Sequence, residues 1–231
     1  MNIVIIGGSR GIGRAAAVEL AKDGHRLLLV GRNPESLEKA KAGLPDSTET
    51  FTADITDAAA IDQLAAYCEE RFAPDGLILN AAAFANHATG RSVLQPTPDE
   101  LGAILDANVV AHYRIVRRLF PLLQKSGRGR IVLIGSTAGI RQDKGGIYGI
   151  SKWALRSFAY NLREEAKAYG VGVSLVNPGG TFTERRQKQS ADDKHLLETS
   201  DLGIVIATVF RLSPQAVIEQ LDIRPLTGDT Y

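Results

Sequence analysis

Short, continuously apolar runs alternate along this chain with longer segments that carry helix signals. The runs fall at residues 3–6, 27–30, 51–53, 77–79, 131–134, 173–176 and 217–223. Most do not alternate apolar with polar, which is how strands read when helices cover both faces of a sheet. Between them, Asn33-Pro34-Glu35 places a cap, then proline at the first helical position, then an acid near the positive helix end. Thr97-Pro98-Asp99-Glu100 repeats that pattern, and Gly24, Gly43 and Gly170 stand where helices should stop. Seven strands and about six helices in alternation predict an α/β fold, a parallel sheet with helices on both faces. No proline-rich linker, repeat or low-complexity tract divides the chain, so one domain over residues 1–231 is expected. The least regular stretch, 181–199, is long for an idle loop. It reads as a lid over a site, with a plain surface excursion as the alternative.

Composition narrows the function. With 27 basic against 26 acidic side chains, net +1, there is no bulk field to attract nucleic acid or a membrane surface. The single cysteine, Cys68, forbids an intrachain disulfide, and the four histidines show no metal-ligand spacing, so no metal is expected. The N-terminus reads as a strand rather than a targeting segment, and the longest apolar stretch is far short of a membrane span. A cytoplasmic protein is the expectation.

The first strand runs into Gly7-Gly8-Ser9-Arg10-Gly11-Ile12-Gly13, and a helix follows at once. Glycines there let backbone amides approach a pyrophosphate, and the helix N-terminus adds unpaired N–H groups. A tight turn without ligand is the plain alternative. On the dinucleotide reading, the second strand should end beside the adenosine ribose, where a carboxylate would select NAD. The chain has Gly31-Arg32-Asn33 instead. Arg32, with Arg10 from the glycine turn, suits a 2′-phosphate, unless both are simply solvated. Asp54, ending the third strand, suits an adenine amino group or a helix cap, although Asp57 is better placed to cap. Asn80-Ala81-Ala82-Ala83 permits close approach of a ligand or is a helix-prone alanine run.

Tyr148 and Lys152 carry the candidate chemistry. Four residues apart on a helix, they share one face. A lysine cation favours phenolate, and moving a phenol from near 10 to about 7 takes about 4 kcal/mol, which makes it a usable general acid or base. With six tyrosines and nine lysines, chance supplies roughly 0.23 such pairs, so the pair is weak evidence alone. Its position strengthens it: Ser136, 12 residues earlier, stands at a strand's carboxyl end, where open parallel sheets bind ligands. Its hydroxyl could donate to a substrate carbonyl or be an ordinary loop hydroxyl. Asn108, inside an apolar-striped helix, needs polar partners or marks a kink.

Together these pieces, in this order, resemble the short-chain dehydrogenase/reductase family in its single-domain branch. The resemblance runs from Ile3 to about Pro225 and rests on Gly7-x3-Gly11-x-Gly13, Asp54, Asn80-Ala81-Ala82, Asn108, Ser136, Tyr148-x3-Lys152 and Pro178-Gly179. It implies a Rossmann-type, doubly wound sheet in the order 3-2-1-4-5-6-7. It implies that Tyr148 exchanges a proton with the substrate oxygen, Ser136 holds that oxygen, and Lys152 depresses the tyrosine and binds the nicotinamide ribose. Asn108 would hold a water linking Lys152 to solvent. The cofactor would be NADP(H). Gly7, Ser9, Arg10, Gly11, Ile12 and Gly13 would meet its phosphates, Arg32 and Asn33 the ribose, Asp54 and Ile55 the adenine side, with Asn80, Ala81 and Ala82 alongside. Pro178, Gly179 and Thr181 would contact the nicotinamide end, and Thr183 the pyrophosphate.

The expected activity is interconversion of a carbonyl and an alcohol on a small molecule. A non-catalytic NADP(H)-binding regulatory or scaffold protein is the alternative, and a nucleotide-sugar epimerase or dehydratase fits less well. Substrate walls would come from 84–95, 140–147 and 181–197, with His87 near the mouth as a surface residue. Apolar stripes with arginines over 108–123 and 153–166 correspond to helices that pair in the relatives, implying a homodimer or homotetramer.

Overall fold

The computed structural model describes residues 1–84, 92–141, 145–184 and 195–228. Seven parallel strands form one sheet: β1 (Asn2–Ile6), β2 (Arg26–Gly31), β3 (Glu49–Thr52), β4 (Gly76–Leu79), β5 (Arg130–Ile134), β6 (Gly172–Pro178) and β7 (Gln220–Ile223). Their spatial order is β3-β2-β1-β4-β5-β6-β7, so the chain winds outward from β1 to one edge, then from β4 to the other. The helices are α1 (Gly11–Lys22), α2 (Pro34–Lys41), α3 (Ala58–Tyr67), α4 (Pro98–Leu105), α5 (Ala111–Lys125), α6 (Gly146–Ala166) and α7 (Thr199–Arg211).

Strand alternation sorts the core into two layers. Val4, Ile6, Leu28, Leu77, Leu133 and Leu175 face α3, α5 and α6. Ile3, Ile5, Leu27, Ile78, Val132 and Val176 face α1, α2 and α7. Both faces are buried, which is why the strands read as unbroken apolar runs.

The predicted caps are present. The Asn33 side chain accepts from the Ser36 amide, and Thr97 with Glu100 closes a reciprocal capping box. Asp57 caps α3 by accepting from Ala59. Gly24, Gly43 and Gly170 all take positive φ just beyond the helices they end.

Three expectations need correction. The third strand covers Glu49–Thr52, so Asp54 lies two residues beyond it instead of at its end. The seventh strand begins at Gln220 rather than at 217. The buried Arg130 accounts for this: its guanidinium donates to the carbonyls of Ser213 and Ala216 at 2.6 Å each, holding the preceding segment as a loop. There are seven α-helices among the described residues instead of about six, because α4 and α5 join through a wide π turn, Asp106–Val110.

Candidate active site

The glycine turn, Asn80-Ala81, Ser136 and Pro178-Gly179 lie at or just beyond the carboxyl ends of β1, β4, β5 and β6, while Asn108, Tyr148 and Lys152 come from helical segments. The glycine turn between β1 and α1 forms the base. Gly7 has φ 79°, and a Cβ on it would sit 2.8 Å from the Ala81 amide. A Cβ on Gly13 would fall 2.2 Å from the Gly7 carbonyl and 2.7 Å from Asn80 Nδ2. Only glycine permits this closeness, so the turn packs directly on the Asn80-Ala81 segment. Asn80 Nδ2 completes the joint by donating to the Gly7 carbonyl at 2.9 Å. Asn80 and Ala81 thus support the turn, while Ile12 and Ile55 pack against the core.

Arg10 precedes α1 in extended conformation, and its side chain makes no cap. The Gly11 amide at that helix end instead donates to the Glu184 carboxylate at 3.1 Å. Thr183 lies beside it, 3.4 Å from where a Gly11 Cβ would be. Glu184 was not foreseen: it is 173 positions away in the chain, and no local spacing signals the contact.

The neighbouring corner holds Ser9, whose Oγ is 3.4 Å from the place a Gly31 Cβ would occupy. Arg10 and Arg32 are both exposed there. Arg32 is 3.9 Å from Asp54, a screened surface pairing. Asp54 Oδ1 accepts from the Thr56 amide and hydroxyl, and these bonds hold its carboxyl below the usual range, with Arg32 adding a smaller pull. The Asn33 side-chain oxygen is committed to its helix cap.

The second half of the site is built on α6, the π turn and β5. Lys152 is 2% exposed, and its ammonium donates to the Ile134 carbonyl at the end of β5, 2.9 Å away. Its nitrogen is 5.6 Å from the centre of the half-buried Tyr148 ring. Burial pulls the lysine down to about 7. Asn108 is fully buried in the π turn. Its amide donates to the Ala83 carbonyl and to Ser151 Oγ, both at 2.9 Å, and its oxygen accepts from the Ala83 amide at 2.7 Å. Ser151 then donates to the Tyr148 carbonyl at 2.7 Å. This chain of bonds locks the backbone around Tyr148, and Ser151 is a member that sequence reasoning missed.

Ser136 opens a short 3₁₀ turn, Thr137–Gly139, and its Oγ accepts from the Ala138 amide at 3.1 Å. Its hydroxyl proton is thereby left as a donor. A Cβ on Gly139 would meet the Lys152 carbonyl at 2.7 Å, so this turn packs flush on α6. Phe84 stacks on the Tyr148 ring with centroids 5.0 Å apart and planes at 13°, and it is half exposed. Pro178 ends β6, and the Gly179 amide donates to Ile223. Thr181 Oγ1 donates to the Gly179 carbonyl.

The ends of the expected lid are tied together: Phe182 donates to Leu197, and Leu197 donates to Gly180. Residues 185–194 of that lid, and His87, lie outside the described residues. Among the described residues no cluster of metal-ligating side chains occurs, and no helix is long and apolar enough to cross a membrane.

Comparison with known proteins identifies the family. The family described as short chain dehydrogenase matches residues 1–194. A Staphylococcus epidermidis protein named as an uncharacterized oxidoreductase is 23% identical over 224 residues, 96% of each chain. Mouse retinol dehydrogenase 5 is 32% identical over 181 residues, 77% of this chain and 55% of its own length. Among solved structures, the closed form of a serine dehydrogenase complexed with NADP+ superposes with a TM-score of 0.90 at 24% identity, covering 100% of this chain and 97% of its own. An alcohol dehydrogenase from the archaeon Thermococcus sibiricus, complexed with 5-hydroxy-NADP, gives 0.87 at 23% identity, with 99% and 98% covered. With a family match over most of its length and a sheet wound in the same order, the chain belongs to the short-chain dehydrogenases.

Proposed function

We propose that the protein is an NADP(H)-dependent oxidoreductase that interconverts a carbonyl and an alcohol on a small molecule. The observation that carries this reading is the buried Lys152 ammonium beside the Tyr148 ring, on a helix tied to Asn108 through Ser151. A buried cation is costly and persists where it serves a purpose. The glycine cradle suits a dinucleotide: its packing excludes any Cβ, and the α1 amide end already attracts an anion in the Glu184 carboxylate. Gly7, Gly11, Ile12, Gly13 and Thr183 would seat the pyrophosphate, Arg10 and Arg32 the 2′-phosphate, and Lys152 the nicotinamide ribose. Pro178, Gly179 and Thr181 would meet the nicotinamide end.

The seat described above would hold a nicotinamide dinucleotide, whose ring would supply or accept the hydride at the substrate carbon. The chain handles everything else. In the reducing direction Tyr148 Oη gives its proton to the substrate oxygen, and Ser136 Oγ donates a hydrogen bond to that same oxygen. The Lys152 cation favours the phenolate left behind, and Asn108 fixes the helix that aligns the pair. In the oxidising direction Tyr148 takes the proton back. Phe84 walls the substrate side of the tyrosine ring. A homodimer through the exposed Tyr113, Ile150 and Trp153 faces of α5 and α6 belongs to the same reading. Turnover of a carbonyl panel, followed at the reduced-nicotinamide absorbance, tests it. No activity on any member with either cofactor would favour a binding protein instead.

Two results should distinguish the cofactor. Arg32 offers a 2′-phosphate a charge-assisted hydrogen bond, so Arg32→Ala should weaken NADPH about tenfold and leave NADH nearly unchanged. Equal affinity for both cofactors in the parent would overturn the NADP preference. Glu184 should act in the opposite sense, because its carboxylate holds an amide of the phosphate seat. Glu184→Gln should tighten NADPH about threefold in a fluorescence titration and slightly lower the melting temperature of the cofactor-free protein. Unchanged affinity would show that the contact does not compete.

A further inference from the structure

Phe84 stands shortly beyond β4, and its place is fixed from two sides. The Asn108 side chain accepts from the Ala83 amide at 2.7 Å and donates to the Ala83 carbonyl at 2.9 Å, so one buried amide holds the peptide that leads into Phe84. The same amide donates to Ser151 Oγ, which donates to the Tyr148 carbonyl. The segment after β4 and the start of α6 are thereby tied through a single residue. The Phe84 ring lies nearly parallel to the Tyr148 ring, at 13° with centroids 5.0 Å apart. That is an offset stack, an arrangement aromatic pairs favour. Half of Phe84 remains exposed. Single exposed apolar side chains are ordinary on a protein surface. This one differs because it is held against the side chain that handles the proton.

That placement restricts the substrate. The Tyr148 hydroxyl sits on the rim of its own ring, and Phe84 covers one flank of that ring. A substrate oxygen bonded to the hydroxyl would lie roughly 2.7 Å from it, with the reacting carbon one bond further. One substituent of that carbon then runs along the Phe84 ring. The ring is carbon throughout, so it offers a charged or strongly hydrated group nothing in exchange for lost water. A flat apolar group, in contrast, buries its own surface, covers the open half of Phe84 and extends the stack. We propose that Phe84 is a specificity-determining residue and that the substrate carries an aromatic or conjugated planar group on the reacting carbon: an aryl ketone or aldehyde, or the corresponding alcohol. The proposal rests on the oxidoreductase reading above and names the substrate class of that same site.

The test uses two pairs matched in size and differing in flatness: acetophenone against cyclohexyl methyl ketone, and benzaldehyde against cyclohexanecarboxaldehyde, each reduced under saturating NADPH. In the parent the KM of the flat member should be about fivefold lower. In F84A that KM ratio should fall to about one, because a contact to a non-reacting part of the substrate acts on KM more than on kcat. F84L keeps apolar bulk without a flat face and should behave as F84A does, whereas F84Y should keep the parent's ratio. Equal KM values in the parent overturn the proposal. So does a ratio that F84A leaves unmoved, which would show that Phe84 only supports Tyr148, or a parental ratio in F84L. Should F84A not fold, F84L and F84Y decide. Absence of turnover on every member defeats the oxidoreductase reading itself, whereas turnover with an unmoved ratio defeats this proposal alone.

Discussion

Tyr148→Phe should bind NADPH as the parent does and lose kcat by about 10² or more. The substitution removes only the phenolic oxygen. The ring stays to stack on Phe84. The backbone stays locked, because Ser151 reaches the Tyr148 carbonyl and not its side chain. Binding and turnover should therefore separate cleanly, which stopped-flow reduction under saturating cofactor would show. Near-normal turnover on a good substrate would place the proton donor elsewhere.

Lys152→Met should cost activity on a similar scale while making the cofactor-free protein more stable, by about 1–2 kcal/mol near neutral pH. Methionine fills the buried channel without a charge to desolvate, at the expense of the bond to the Ile134 carbonyl. The effect should depend on pH with a definite sign. Lys152 is lowered from 10.5 to about 7 in the fold. Below about 7 both folded and unfolded chains carry the proton, and the cost of burying it is fully present. Between about 7 and 10.5 the unfolded chain binds more protons than the native one, so this group's contribution makes stability rise with pH. The advantage of Lys152→Met should accordingly shrink across that interval in chemical denaturation curves. A constant difference from pH 6 to pH 10 would mean that the lysine does not titrate in the folded state.

Much of the fold was legible because its causes are local. Unbroken apolar runs at β1, β2 and β5 report burial on both faces, and Asn33 and Thr97 announce helix starts by residues only two or three positions away. The order of the strands came through the resemblance to a family rather than from the runs themselves. The edges were less legible: β7 starts late because a guanidinium on β5 grips the segment before it, more than 80 positions along the chain.

The site divides in the same way. Gly7, Gly13, Tyr148 and Lys152 were visible as spacings. The π turn that aims Asn108 gives no periodic signal, since one extra residue in a turn looks like ordinary helix in sequence. Asn33 was read both as a cap and as a ribose contact, and its oxygen serves the cap. Glu184 acquires its meaning only from a neighbour brought by the tertiary fold.

The tie between Gly180–Phe182 and Leu197 bears on how such a protein can diversify. Its hydrogen bonds belong to the main chain, so they tolerate changes of side chain at those positions. With both ends anchored, lengthening the intervening segment adds only the slowly growing entropy of a longer closed loop, about 0.6 kcal/mol for a doubling. On the proposed reading, in which this stretch covers the site, substrate preference would drift by insertion, deletion or wholesale grafting between the anchors, while Tyr148 and Lys152 on α6 and Ser136 beyond β5 keep their places. Chimeras exchanging this stretch among relatives should fold as readily as the parents and differ mainly in what they accept.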